Sequence, residues 1–255
     1  MAALPRAIAC FTFDNMGEAA EVGAGAPRTH ALHPSLSRGY PEIFALLDRH
    51  AVRATFFIEG WNGLHHPEAV AEIVSRGHEL GMHGWVHERW SSLSPGDEAE
   101  LAARATDALE RAAGVRPRGF RAPGGARTQE TQGVLATLGY SYDASLGSGM
   151  HPERLAPGFA QVPFVWPCVD GFHYLRDPPA EPAEVREVWL RALERAASQG
   201  GLFVTVCHAF VTGLEGSRID VLGEVMAAAV SDPRVTVLRV GELAQLLLVG
   251  PAEDM

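Results

Sequence analysis

The chain contains no lysine: all 21 of its basic side chains are arginines. A guanidinium stays protonated in a protein, so Schiff-base and amine-nucleophile chemistry has no residue to run on. Cysteine is scarce, with three residues, Cys10, Cys168 and Cys207. An odd number cannot close a disulfide framework, and Cys10 and Cys207 stand inside apolar runs, as small buried hydrophobes do. Positive charge is deficient overall, since 31 acidic residues against 21 basic ones leave a formal charge of −10. That balance argues against a nucleic-acid partner or an anionic membrane, both of which select basic surfaces. No apolar stretch reaches transmembrane length, and the first residues lack the basic-then-apolar pattern of an export signal. A cytoplasmic location with no membrane association is therefore expected. Internal repeats, low-complexity tracts and dividing linkers are also missing, so one domain over residues 1–255 is expected.

What is present is an alternation of two patterns. Short runs rich in Val, Ile, Phe and Thr, bounded by Gly or Pro, predict strands at 7–13, 54–58, 79–82, 119–121, 141–143, 160–166, 202–207 and 235–240. Apolar spacings of three and four predict helices at 41–49, 67–76, 95–113, 129–138, 182–198, 219–230 and 241–248. Ser94 before Pro95 reads as a helix start. Strand–helix alternation repeated about seven times gives an α/β fold, and at this length a distorted (β/α) barrel of about seven parallel strands. Segments 15–40 and 146–182 are too long for simple connections and are expected to form lid-like loops on the C-terminal rim.

Catalytic groups of a parallel barrel gather on the loops that follow the strands. The polar residues at those positions are Asp14 and Asn15, then His83 and His87, Arg121, Asp143 and His208. His83 and His87 are spaced i, i+4, which on a helical turn puts two imidazoles on one face, suited to one divalent ion. Such a pair arises readily by chance among eleven histidines. Its weight comes from the other strand-end residues. No nucleophile with an adjacent base stands out.

The ordered segments Phe11-Thr12-Phe13-Asp14-Asn15, Ala54-Thr55-Phe56-Phe57, Gly77-His78-Glu79-Leu80-Gly81-Met82-His83-Gly84-Trp85-Val86-His87, Arg121-Ala122-Pro123-Gly124-Gly125, Gly139-Tyr140-Ser141-Tyr142-Asp143 and Val206-Cys207-His208 resemble the successive motifs of the polysaccharide deacetylase family, carbohydrate esterase family 4. The resemblance implies a distorted (β/α) barrel that hydrolyses the N-acetyl group of an N-acetylglucosamine unit with one divalent metal ion, zinc being expected. It assigns the general base to Asp14, the arginine that orients it to Arg121, the general acid to His208, and metal ligation to His83, His87 and Asn15. The chemistry is coherent: an amide is unreactive, so a cation must polarise its carbonyl, a carboxylate must take the proton of water, and an acid must protonate the departing amine.

Three departures stand out. Asn15 occupies the place of a metal-binding Asp, so Asp14 is the alternative third ligand. Gly84 replaces the Ser or Thr that braces the histidine loop. The Asp-Trp pair of the fourth motif is absent, with Gly147 and Ser148 in its place. The run from Thr12 to Ala19 further resembles the deacetylases that act on N-acetylglucosaminyl pseudoaglycones in lipoglycopeptide antibiotic biosynthesis. A soluble small-molecule glycoside is the expected partner. Its contacts are expected from Trp61, Trp85, Trp90 and Trp166, whose faces stack on rings, with Pro123 and Asp143. The alternatives are a chitooligosaccharide deacetylase, an amidase for ureides or formamides on the same scaffold, and a non-catalytic sugar- or glycopeptide-binding protein. Oligomeric state stays open.

Overall fold

A computed structural model describes residues 7–28, 32–147 and 149–250. The first strand, β1 (Ala7–Asp14), is buried along its whole length, as its apolar run from Ala7 to Phe11 requires of a strand covered on both faces. Segment 15–40, expected as an open lid, instead contains α1 (Glu18–Gly23) and a π-helical turn (Ser35–Gly39) that runs into α2 (Tyr40–Arg49). It is tied down where Glu18 meets His66 at 2.7 Å. Next come β2 (Thr55–Ile58), α3 (Gly60–His65), α4 (Pro67–Ser75), β3 (Glu79–Met82) and α5 (Pro95–Ala113). The Ser94 hydroxyl caps α5 by accepting from the Asp97 amide.

The chain continues through β4 (Gly119–Phe120), α6 (Thr131–Thr137), β5 (Tyr142–Asp143), β6 (Glu153–Ala156), β7 (Phe159–Gln161) and α7 (Asp170–Tyr174). It finishes with α8 (Pro182–Gln199), β8 (Gly201–Cys207), α9 (Gly216–Ser231), β9 (Val235–Val237) and α10 (Val240–Val249). The strands form one curled sheet in the order β6-β7-β5-β4-β3-β2-β1-β8. Among the described residues only the β6–β7 pairing is antiparallel. β8 takes one edge of β1, while β2 and β9 share the other, pairing with Thr12–Asp14 and Ala7–Ala9 respectively. A parallel bridge between Val169 and Val206 brings the chain beyond β7 against β8, so the sheet curls into the expected distorted barrel.

The late insert differs most from expectation. β6 is half-exposed and opens with Glu153 and Arg154, so it carries no apolar signal. β7 ends at Gln161 instead of reaching 166, because Pro163 and Pro167 cannot donate to a ladder, and Trp166–Cys168 turns as a 3₁₀ helix.

Alternation along β1 divides the core in two. Ile8 and Cys10 join Phe57, Tyr142 and Val204 in one cluster, while Phe11 and Phe13 pack with Ile43 and Phe56 in the other, against the helices. The three cysteines are free and buried. One contact depends on the absence of side chains. A Cβ on Gly39 would lie 2.5 Å from the Ala209 carbonyl oxygen, and one on Gly213 would lie 2.8 Å from the Gly39 Cα. The loop after β8 thereby rests directly on the start of α2.

Candidate active site

The C-terminal ends of β1, β3, β4 and β8 deliver Asp14, His83, Arg121 and His208 to one cavity of about 290 Å³, which His87 also lines. Arg121 organises the floor. Its Nη1 donates to Asp14 Oδ1 and to Thr12 Oγ1, both at 2.7 Å, and its Nε donates to the Ala144 carbonyl at 2.8 Å. The guanidinium lies over the Phe57 ring, 4.3 Å from its centroid. Both members of the ion pair are buried, so each neutralises a charge that would otherwise be expensive to hold there. Among the described residues no hydrogen bond engages Asp14 Oδ2.

The same residue fixes the first imidazole. A carbonyl only accepts, so His83 Nδ1 carries the proton it gives to the Arg121 carbonyl at 2.8 Å, and Nε2 keeps its lone pair. His87 lies beside it, with ring centroids 5.0 Å apart. The two rings meet across a tight loop, not a helical turn, and His87 itself adopts a left-handed φ of 66°. Gly84 suits this loop: its φ is 74°, and a Cβ would sit 2.7 Å from Glu88 Oε2. Glu88 supplies the brace that a Ser or Thr at 84 would have given, accepting from the amides of Trp85 and Val86 at 3.0 Å each. Burial, and then the neighbouring imidazoles, push both histidines below their ordinary range, that of His83 far below. Both are therefore neutral near pH 7.

His208 is held differently. Its Nδ1 donates to Asp170 Oδ1 at 2.6 Å, and its backbone amide donates to Asp170 Oδ2 at 2.7 Å, an oxygen that Thr212 also reaches. Burial disfavours the imidazolium, but the Asp170 carboxylate, with Asp14 and Glu59 farther off, outweighs it and raises the pKa. Asp170 is absent from the residues that the sequence pointed to. The signal was present in Cys168-Val169-Asp170-Gly171, an acid just past an apolar run in the late insert. Glu59 was missed as well, although it directly follows the second strand. It is fully buried, accepts from Met16 N and Asn62 Nδ2, and is pushed up to about 8, chiefly by burial.

The other sequence candidates fare unevenly. Asn15 has a left-handed φ of 62°, and its Oδ1 accepts from the Gly17 amide at 2.5 Å. Asp143 is buried against Arg127 and Ser145, outside the cavity. Pro123 lines a neighbouring cavity with His87 and Arg89. Trp90 is a core residue: it is fully buried, and its Nε1 donates to Glu98 and Thr131, so it offers no face to a ligand. Trp61 and Trp85 are also buried, covered respectively by the His65 ring and the Arg104 guanidinium. Trp166 does line the cavity. A larger cavity of about 560 Å³ lies by the N-terminal ends of β3 and β5, but its buried acid, Glu79, is saturated by Thr55, Tyr142 and the Gly241 amide.

The imidazole pair fits a divalent ion. Both rings are neutral, and His83 is aligned through its second nitrogen by a carbonyl, as metal-binding imidazoles are. Among the described residues no third His, Cys, Asp or Glu joins them in a cluster able to hold an ion. A third protein donor would have to come from the remaining lone pair of Asn15 Oδ1 or from a shift of Asp14.

Fold and site together define a curled (β/α)-barrel protein with an imidazole–carboxylate centre on its C-terminal rim. The polysaccharide deacetylase model matches residues 4–142, more than half of the chain, and the chain belongs to that family. It is 28% identical over 132 residues to a peptidoglycan deacetylase of Helicobacter pylori, covering 52% of this chain and 44% of that protein. It is 32% identical over 124 residues to a chitooligosaccharide deacetylase of Bradyrhizobium, covering 48% and 55%. The chain thus spans about half the length of these relatives. A Mycobacterium smegmatis structure described as a polysaccharide deacetylase superimposes with a TM-score of 0.86 at 29% identity, covering 97% of this chain and 92% of that one. Among the described residues no helix is long and apolar enough to cross a membrane.

Proposed function

We propose that this chain hydrolyses the N-acetyl group of an N-acetylglucosamine unit on a discrete glycoside, releasing acetate and a free amine. A glycopeptide pseudoaglycone is the substrate we favour. The observation that carries the reading is the opposition, within one cavity, of a carboxylate held by arginine and an imidazole held by a carboxylate, with two neutral imidazoles between the same walls.

Asp14, held in place by the Arg121 guanidinium, accepts the proton of the attacking water. His208, whose imidazolium form Asp170 favours by raising its pKa, gives a proton to the departing nitrogen, since an amide anion does not leave. Asp170 fixes the tautomer: with Nδ1–H on the carboxylate, the proton to be delivered sits on Nε2. His83 and His87, with Asn15 or Asp14, would hold a divalent ion, zinc by preference, which when bound polarises the acetyl carbonyl and acidifies water.

The test is a mass-spectrometric screen for loss of one acetyl group. It uses the zinc-loaded chain with chitooligosaccharides and N-acetylglucosaminyl pseudoaglycones. Loss from the pseudoaglycones supports the proposal. Loss from chitooligosaccharides alone refutes the substrate assignment, and loss from neither refutes the reaction.

A further inference from the structure

One wall of the candidate site is unlike the rest. The charged and imidazole groups of the cavity all belong to its floor, whereas the chain from Phe164 to Leu175 contributes only apolar surface and backbone. Three of these side chains are substantially exposed: Trp166 at 39%, Phe172 at 49% and Leu175 at 67%. Trp166 is held edge-on to Phe164, with ring centroids 5.5 Å apart. Phe172 lies in α7, the same short helix whose Asp170 carries His208, and Leu175 follows directly. The shelf is therefore fixed relative to the acid. A neighbouring cavity of about 470 Å³, which His87 also lines, is bordered by polar groups that include Glu88, Arg89 and Ser91.

We propose that the shelf formed by Trp166, Phe172 and Leu175 seats an aromatic or aliphatic group carried by the acetylated sugar. The substrate class is then an amphipathic glycoside and not an extended polysaccharide, an inference that rests on the deacetylase reading above. A sugar ring stacks on an aromatic face through its C–H groups, but beyond that contact this wall gives the hydroxyls of a polysaccharide no side-chain acceptor. An apolar substituent gains instead, at roughly tenfold in affinity for each 60 Å² or so of surface covered. The shelf is continuous with the catalytic floor, so an occupant attached to the substrate reaches it without blocking the site. A second protein copy covering it would block the site.

The experiment compares acetate release from the methyl, n-octyl and 4-nitrophenyl N-acetylglucosaminides and from chitotriose, using the full zinc-loaded chain. The octyl and nitrophenyl glycosides should exceed the methyl glycoside in kcat/KM by roughly tenfold or more, mainly through KM. In Phe172→Ala and Leu175→Gln that ratio should fall toward one. Both side chains are exposed, and a thermal melt confirms folding. Equal kcat/KM for methyl and octyl glycosides, preference for chitotriose, or a concentration-dependent dimer that the two variants abolish would each overturn the proposal. If no probe releases acetate, the deacetylase reading fails separately. Calorimetric binding then decides the shelf: octyl tighter than methyl supports it, and equal affinities overturn it.

Discussion

Asp170 grips His208 twice, one carboxylate oxygen receiving the imidazole Nδ1–H at 2.6 Å and the other the backbone amide at 2.7 Å. This double attachment sets both the position of the ring and its charge. In Asp170→Asn the burial that opposes the imidazolium loses its main counterweight, leaving only the more distant Asp14 and Glu59, so the His208 pKa falls. A general acid works below its pKa. The basic limb of the kcat/KM profile should therefore move to lower pH, and the optimum rate should drop by about 10²-fold. A basic limb that stays in place would remove His208 from the role of acid.

The Arg121–Asp14 pair should show itself in stability as well as turnover. Removing one partner of a buried pair strands the other, at a cost of about 3–5 kcal/mol. Arg121→Ala should lose that much in urea unfolding, together with activity. Arg121→Lys should not rescue it, because an ammonium cannot serve Ala144, Thr12 and Asp14 in the geometry of the guanidinium. Wild-type stability in the lysine variant would show that the fork geometry is unimportant.

Metal binding should respond to position 15. Asp in place of Asn15 keeps an acceptor for the Gly17 amide and adds a negative charge one residue beyond Asp14. Zinc affinity measured by calorimetry should tighten by about tenfold in Asn15→Asp, following ligand charge, and His83→Ala should abolish it. Chelation should stop acetate release, and zinc or cobalt should restore it. Identical zinc affinity in wild type and Asn15→Asp would place the ion away from residue 15.

Trp90 should behave as core. Trp90→Ala should lower unfolding free energy by about 3–5 kcal/mol while leaving KM within twofold or so, since any partial loss of catalytic geometry acts on kcat. A selective rise in KM at full stability would return Trp90 to the substrate.

Part of the acid sensitivity should arise away from the site, in addition to that of the buried His83 and His87. Burial, then the Arg53 charge, lowers His78 to about 4. Its Nδ1 accepts from the Ala54 amide, so protonation breaks that bond. The folded pKa lies below the ordinary value of 6.5, so the unfolded chain binds the extra proton first. The stability contribution is complete above about pH 6.5 and lost as pH falls toward 4. Urea midpoints measured between pH 7 and 4 should decline, and His78→Gln should flatten that decline. An equal decline in the variant would assign it to other groups.

The barrel was legible because its strands are apolar runs and its helices keep a clean three-four spacing. β1, β3 and α5 fall within a residue or two of the reading. The floor of the site was legible for a related reason: strand ends aim their next polar residue at the rim. The loops were not. Nothing in Glu153–Ala156 announces an edge strand, and nothing in the spacing of Trp90 distinguishes a ring turned inward onto Glu98 from one facing solvent. Asp170 escaped because its partner is 38 residues away in sequence, a pairing that only tertiary closure produces.

The bare contact between Gly39 and Gly213 carries a consequence for loop exchange. The segment bearing His208 is not suspended from β8 alone, because it leans on the chain that leaves the first insert. Grafting that insert from a related protein, an obvious route to new specificity, would move His208 unless the donor also kept this contact free of side chains. The unit to exchange is therefore two segments together, the residues before α2 and those after β8.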